Sequence, residues 1–160
     1  MLDSTPLTGK HLINGAWTEG GPAFTSDPVT GDPVRVQCGG AAEIDAAVRA
    51  AEEAFLTYGW TDRNTRARFL EAIAEEIEAR GAALTAHGSA ETGLPEARLE
   101  GERGRTTGQL RMFADHIRKG DYLDIRHDPA LPDRQPLPRP DLRLIQRPLG
   151  PVGVFGASNF

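Results

Sequence analysis

The apolar residues between positions 42 and 119 recur at helical spacing, and this pattern constrains the fold of the chain more than any other feature. In residues 42–56 they are separated by four, three and four positions, which places them on one helix face. These residues are Ile44, Val48, Ala51 and Phe55. A second helix is predicted from Thr61 or Asp62, either of which can cap its N-terminus, to a stop near Gly81. Its apolar face consists of Phe69, Leu70, Ile73 and Ile77.

Glycine and proline mark the ends of two further predicted helices. The shorter helix covers residues 82–92 and closes at Gly93, with Pro95 following in the order expected at a helix C-terminus. Pro95 also suits the first turn of the fourth helix, which runs to Lys119 and is followed by Gly120. The stripe predicted to pack consists of Leu99, Arg103, Thr106, Leu110, Phe113 and Ile117.

Three glycines, Gly101, Gly104 and Gly108, lie nearly opposite that stripe of the fourth helix. Each costs about 1 kcal/mol relative to alanine in a helix interior. They indicate either the close approach of another backbone or bulky group, or surface glycines that the helix tolerates. The pattern alone favours neither interpretation.

The first forty residues have the pattern of a small antiparallel β section. Residues 11–17 contain Asn14-Gly15, which is a strong signal for a two-residue hairpin turn. Apolar and polar residues alternate from Pro33 to Cys38, which predicts a half-buried strand. A β section of this size is not stable alone, so we expect it to pack on the helices.

Residues 122–126 and 142–147 are both predicted to be strands, with a proline-rich loop between them. The loop contains Pro129, Pro132, Pro136, Pro138 and Pro140. So many prolines exclude it from the centre of a sheet. The two strands therefore predict an arm whose exposed edges suit subunit pairing, with an ordinary solvent-exposed loop as an equal alternative.

Residues 148–160 contain a short apolar run that predicts a buried strand leading into a turn. The run consists of Val152, Val154 and Phe155, bounded by Gly150-Pro151 and by Gly156. A buried strand needs neighbours on both edges, so we expect this chain to be the front part of a longer protein. The turn leads to Asn159, whose side-chain amide is suited either to donate to a developing oxyanion or to cap the turn.

Composition and spacing argue against several classes of site. A net charge of -5 argues against a general nucleic-acid or anionic-membrane binder. The single cysteine, Cys38, excludes an internal disulfide and a multi-cysteine metal site, and it reads as a passive residue rather than a nucleophile. The histidines have no metal-ligand spacing, and the glycines of residues 150–156 do not form the G-x-G-x-x-G dinucleotide fingerprint. No signal peptide or membrane span is seen, so a cytoplasmic location is expected.

Several segments occur in an order that resembles a known family. They are I-N-G-A-W (13–17), D-P-V-T-G-D-P-V (27–34), E-I-D-A-A-V-R-A-A-E-E-A-F (43–55), E-T-G-L-P (91–95) and P-L-G-P-V-G-V-F-G-A-S-N-F (148–160). Together they resemble the N-terminal portion of the NAD(P)-dependent aldehyde dehydrogenase superfamily. Residues 101–114 and 129–143, with G-A-S-N-F, are similar to the branch that oxidises α-ketoglutaric semialdehyde.

The resemblance implies an α/β fold with four parts: a small antiparallel β section, a helical layer, a β-arm for oligomerisation, and the first strand of a Rossmann-like cofactor domain. The implied boundaries are residues 1–120 for the first two parts, 121–147 for the arm and 148–160 for the strand and turn. The family implies a homodimer or homotetramer. A non-catalytic module that binds a partner through the arm is the alternative.

The resemblance also implies roles for residues near position 159. Asn159 matches the asparagine that helps to form the oxyanion hole, and it is the one catalytic residue expected in this chain. Four residues match the strand end and turn that line the cleft for NAD or NADP: Phe155, Gly156, Ala157 and Ser158. The substrate would be a small aldehyde. The nucleophilic cysteine, the general-base glutamate and a lysine near the adenosine ribose are expected beyond Phe160, and Cys38 does not match the nucleophile.

Overall fold

The computed structural model describes residues 8–156, and four helices form nearly half of that part. The elements, in chain order, are β1 (His11–Ile13), β2 (Ala16–Thr18), β3 (Ala23–Thr25), β4 (Arg35–Gln37), α1 (Ala41–Tyr58), α2 (Arg63–Ala79), α3 (Gly81–Thr92), α4 (Glu96–Lys119), a 3₁₀ turn (Asp121–Leu123), β5 (Arg126–Asp128) and β6 (Leu142–Leu144). The strands form three separate antiparallel pairs: β1 with β2, β3 with β4, and β5 with β6. Helices and small antiparallel sheets were both predicted.

The N-terminal hairpin turns at the predicted Asn14-Gly15. Ile13 pairs with Ala16, so the loop has two residues, and both have positive φ, 51° for Asn14 and 75° for Gly15. Only a mirror-image turn of this kind matches the twist of the flanking strands. The strand predicted at residues 33–38 is also confirmed, since Arg35–Gln37 pairs with β3.

The predicted helix ends are largely confirmed by the capping groups. The carboxylate of Asp62 accepts a hydrogen bond from the Thr65 amide at 3.0 Å, so Asp62 rather than Thr61 caps α2. Gly93 and Gly120 follow α3 and α4 in the left-handed conformation. The prediction for Gly81 was wrong: Arg80 separates the two helices, and Gly81 is the first residue of α3.

Helices α2 and α4 form the most extensive contact between elements, and small side chains fill it. Ala67 and Ala74 of α2 and Thr107 and Ala114 of α4 are all buried. Such small residues allow the two helix backbones to approach closely. The buried residues of α4 differ from the predicted stripe at two positions. Thr107 and Ala114 are buried where Thr106 and Phe113 were predicted.

The predicted apolar face of α1 is not buried among the described residues. Ile44 and Val48 are 61% and 54% exposed, and the main packing partner of α1 is β1. Likewise, Gly101, Gly104 and Gly108 of α4 have no heavy atom within 4 Å of an added Cβ. Within residues 8–156, the surface-glycine interpretation of that stripe therefore holds.

The predicted arm is a hairpin of β5 and β6, and all six strand residues are exposed. The first strand begins later than predicted, at Arg126, because Gly120 and Asp124 adopt positive φ and fold the residues between them into a 3₁₀ turn. The proline-rich loop closes on itself, since Leu131 and Arg139 form an isolated bridge and the Arg139 guanidinium donates to the Pro129 carbonyl.

The strand predicted within residues 148–160 does not form in the described part of this segment. Residues 148–156 have no regular secondary structure, and Val152 and Phe155 are 79% and 98% exposed. The physical reason is the absence of a pairing strand, because no other described segment hydrogen-bonds to these residues.

Candidate functional site

Of the five predicted site residues, the structure describes only Phe155 and Gly156, at the end of the described chain. Phe155 and Gly156 are exposed. The turn that would complete the site, Ala157, Ser158 and Asn159, lies outside the described residues. The cofactor-cleft and oxyanion roles of these five residues remain predictions.

The structure does show how the chain reaches this segment from the arm. The amide of Gln146 donates to the carbonyl of Leu123 at 2.9 Å, at the base of the arm. The next residue, Arg147, places its guanidinium carbon 4.2 Å from the ring centroid of Trp60, in the connection between α1 and α2. A cation over an indole face is attractive, so the approach is held at the junction of α1 and α2.

A cavity of about 350 Å³ lies between this junction and the start of the segment. Its lining residues are Ala51, Ala54, Phe55, Tyr58, Gly59, Arg66, Pro148, Gly150 and Pro151. The wall is mostly apolar, and Arg66 is the only charged residue among the described residues that line it. Gly150 has a φ of 134°, a conformation that side chains rarely adopt, so the bend of the segment at this point favours glycine.

Arg66 was not predicted from the sequence, although it is the main polar group of this cavity. One terminal nitrogen of its guanidinium donates to the Tyr122 hydroxyl at 3.3 Å. Its Nε is buried and has no hydrogen-bond partner among residues 8–156. No local signal distinguishes Arg66 from Arg63 and Arg68 on the same helix, because its partner lies 56 positions later in the chain.

Two side-chain contacts join α2, which carries Arg66, to the C-terminal end of α4. Both terminal nitrogens of Arg118 donate to the carboxylate of Glu71, each at 2.6 Å, which is the favoured two-point geometry. These hydrogen bonds lower the pKa of Glu71 and raise that of Arg118. The guanidinium of Arg63 donates to the carbonyls of Arg118 and Lys119, which satisfies the C-terminal end of α4.

Glu78 is the centre of a second cluster, which joins α2, α3 and α4. Its carboxylate accepts from the Thr107 hydroxyl at 2.6 Å and from Nε of Arg103 at 3.1 Å. Arg103 also donates to the Gly81 carbonyl at 3.0 Å and to the Thr85 hydroxyl at 2.8 Å. The hydrogen bond from Thr107, followed by that from Arg103, lowers the pKa of Glu78. The two hydroxyls of this cluster, on Thr107 and Thr85, are buried, and its contacts are those of a structural link.

In the described part of the chain, the other candidate residues are not brought together into a reactive or metal-binding site. Cys38 has a free, half-buried thiol, and its amide donates to the Pro22 carbonyl at 2.7 Å. Across residues 8–156, no three His, Cys, Asp or Glu side chains are placed to hold a metal ion. In the same part of the chain, no helix is long and apolar enough to cross a membrane.

Comparison with known proteins identifies the fold. The profile of the aldehyde dehydrogenase family matches residues 17–160, which is most of the chain. The chain belongs to the aldehyde dehydrogenase family. Two curated members are particularly similar to this aldehyde dehydrogenase chain. It is 52% identical over 160 residues to α-ketoglutaric semialdehyde dehydrogenase 2 of Azospirillum brasilense, and 54% identical over 118 residues to α-ketoglutaric semialdehyde dehydrogenase of Acinetobacter baylyi.

These matches cover 96% and 74% of the aldehyde dehydrogenase chain but only 30% and 22% of the two relatives. The chain therefore spans less than a third of the length of these relatives. Solved structures show the same relation. An NAD-dependent benzaldehyde dehydrogenase from Corynebacterium glutamicum matches 80% of the chain with a TM-score of 0.69 at 22% identity, and 28% of that protein is covered.

A second solved structure, PnpE in complex with nicotinamide adenine dinucleotide, matches 77% of the chain with a TM-score of 0.67 at 26% identity. The match covers 26% of PnpE. Together with the family profile, these likenesses confirm the predicted fold class. The resemblance inferred from the ordered motifs is confirmed as well.

Proposed function

We propose that this chain is part of an enzyme that oxidises α-ketoglutaric semialdehyde to the carboxylic acid with NAD or NADP. The observation that carries the proposal is the 52% identity, over 96% of the chain, to a relative of that name. The 54% identity to a second relative of the same name supports it. The chain covers less than a third of the length of either relative, so the proposed activity is that of the whole enzyme and not of this chain by itself.

The chemistry proposed follows from the family. A cysteine thiolate outside this chain forms a bond to the aldehyde carbon, and the carbonyl oxygen becomes an oxyanion. When bound, NAD(P) supplies the acceptor for the hydride that leaves this carbon as the thioester forms. Water then releases the carboxylic acid and regenerates the thiol. The role proposed for this chain is to donate the Asn159 amide N–H to the oxyanion, which stabilises the developing charge.

The residues at the end of the described chain fit a nearby cofactor in one respect. Gly153 and Gly156 have no heavy atom within 4 Å of an added Cβ, so a bound group can reach the backbone there without a steric clash. We propose that Phe155, Gly156, Ala157 and Ser158 face the cofactor. Discrimination between NAD and NADP is assigned to no residue of this chain.

The test is an absorbance assay for NAD(P)H formation by the full-length protein. NAD and NADP are supplied separately, with α-ketoglutaric semialdehyde, a neutral aldehyde and a no-aldehyde control. We expect acid and reduced cofactor to form in equal amounts. Asn159→Ala should lower kcat by about 10²–10³-fold, the usual effect of losing one oxyanion donor. A kcat within a factor of two of wild type would exclude the role of Asn159, and no turnover of any aldehyde would exclude the activity.

We also propose that the β5–β6 arm joins copies of the protein into a homodimer or homotetramer. The arm exposes both strands, and a hydrogen bond of 2.8 Å between Nε2 of His127 and the carboxylate of Asp141 links its two sides. Leu144 is an exposed apolar residue on β6. Leu144→Asp should shift the mass measured by analytical ultracentrifugation towards the monomer. Leu12→Asp, at an exposed leucine of β1, is the control, and an unchanged mass for Leu144→Asp would contradict the proposal.

A further inference from the structure

The guanidinium of Arg66 has a buried donor with no acceptor. Its Nε lies out of contact with solvent and makes no hydrogen bond within residues 8–156, while a terminal nitrogen is held by Tyr122 at 3.3 Å. Arginine carries donors only, so the missing partner must be an acceptor. A buried charged donor left unpaired is unfavourable, which means that the working protein supplies that acceptor.

The backbone carbonyls of Phe55 and Tyr58, on the cavity wall formed by α1, are already in use. The Phe55 carbonyl already accepts from the Gly59 amide at 2.9 Å, and the Tyr58 carbonyl accepts from Thr61. The remaining α1 residues at the wall are two alanines, whose side chains have no acceptor. Among the described residues at this cavity, the acceptors that remain are the Tyr58 hydroxyl and the carbonyls of the opposite wall, which is the chain itself at residues 148–151.

The opposite wall is rich in unused acceptors. Pro148 and Pro151 have no N–H, so residues 148–151 offer four carbonyls and only two amide donors. Within the described chain, no hydrogen bond reaches any of these carbonyls. Pro148, Gly150 and Pro151 line the same cavity as Arg66. Arg66, with its unpaired donor, and the segment with unpaired carbonyls therefore line the same mostly apolar cavity of about 350 Å³.

We propose that Arg66 is a positioning residue that holds residues 148–151 by donating its Nε hydrogen to a backbone carbonyl of that segment. Tyr122 orients the guanidinium from the base of the arm, so Arg66 ties α2, the arm and the segment together. Residues 152–156 follow directly and lead to the turn of Asn159. Arg66 therefore sets the position of the predicted oxyanion donor without touching substrate, and this consequence rests on the proposed function.

The direct test is backbone hydrogen exchange in the full-length protein carrying this chain, for wild type, Arg66→Lys and Arg66→Gln. Arg68→Gln is the matched control, because Arg68 lies on the same helix with an exposed side chain that contacts Thr65. Arg66→Gln should speed exchange of the amides in residues 149–156 by about tenfold, the size expected for one lost buried hydrogen bond. Arg66→Lys retains the charge and should give a smaller increase, and Arg68→Gln should match wild type.

The kinetic readout separates positioning from substrate binding. With α-ketoglutaric semialdehyde and with a neutral aldehyde, Arg66→Gln should lower kcat by about tenfold while KM stays within about twofold. Unchanged exchange in residues 149–156 overturns the inference. So does a rise in KM confined to the carboxylate-bearing aldehyde, because Arg66 would then bind the substrate anion. If wild type has no turnover but exchange responds as expected, the positioning role stands and the proposed activity falls.

Discussion

At the scale of single residues, the chain relies on a few positions where only one residue type satisfies the backbone or a neighbour. Gly120 ends α4 with a φ of 82°, and the space that a Cβ would occupy is taken by the Arg63 guanidinium. The same guanidinium caps the helix by donating to the carbonyls of Arg118 and Lys119. Glycine at position 120 therefore permits both the left-handed turn and the helix cap that Arg63 provides.

Replacing Gly120 tests this arrangement. Gly120→Ala should lower the free energy of unfolding by about 1 kcal/mol or more, because alanine disfavours this φ and displaces Arg63. The control is Gly104→Ala, in an open position of the same helix, where alanine should raise stability by up to about 1 kcal/mol. Urea denaturation of both variants measures the difference, and equal effects would contradict the explanation.

The pH dependence of stability follows from Glu78. The folded state lowers its pKa from the ordinary 4.5, so folding is favoured by the ionised carboxylate. This stabilisation is fully present above pH 4.5 and is lost as the pH falls below that value through the folded pKa. We expect Glu78→Gln to flatten the fall of Tm with decreasing pH in this range.

The comparison for Glu78 is Glu53→Gln, on the exposed surface of α1. Thermal unfolding at several pH values below neutrality should show the wild-type slope in Glu53→Gln and a shallower one in Glu78→Gln. Glu71, paired with Arg118, contributes in the same direction, so some pH dependence should persist in Glu78→Gln. If Glu78→Gln shows the wild-type slope of Tm against pH, the Glu78 carboxylate does not cause this pH dependence.

At the scale of elements, the α2–α4 pair forms the core of the described chain, and it depends on side-chain size rather than on bulk hydrophobicity. Ala67, Ala74 and Ala114 are fully buried, whereas the larger Phe69, Met112 and Phe113 are more than half exposed. Polar links at Glu71 and Glu78 border the contact. The helices are thus held by close approach together with specific hydrogen bonds.

Enlarging the contact should therefore be costly. Ala114→Leu places three more carbon atoms between α2 and α4, and we expect it to lower the free energy of unfolding by about 1–3 kcal/mol. Ala46→Leu, on the exposed surface of α1, adds the same atoms without a clash and should be nearly neutral. Chemical denaturation compares the two, and a stable Ala114→Leu variant would show that the contact is loosely packed.

At the scale of the whole molecule, the described chain leaves large apolar side chains uncovered. Ile44 and Val48 of α1 and Phe69 of α2 are more than half exposed. The chain also spans less than a third of the length of its curated relatives. Under the proposed function, we expect catalysis to depend on a nucleophilic cysteine outside this chain.

An assay of the isolated 160-residue chain tests whether the nucleophile lies outside it. We expect it to give no NAD(P)H from any aldehyde, because the thiohemiacetal cannot form without the nucleophile, while the full-length protein is active. Intact mass measurement confirms which species is assayed. Cys38→Ser, which removes the only cysteine of this chain, is the control. Turnover of an aldehyde by the isolated chain would show that the nucleophile has been misassigned.

The amino-acid sequence alone determined the helices, their glycine caps, the Asn14-Gly15 hairpin and the family, because these depend on local backbone preferences and on ordered motifs. It did not determine which faces are buried. Thr107 and Ala114 are buried where Thr106 and Phe113 were predicted, because the face that α4 turns towards α2 is set only when the two helices pack. Nor did it reveal Arg66, whose partner Tyr122 lies on a distant element. Contacts between distant residues are fixed only when the helices pack, so the tertiary structure alone decided them.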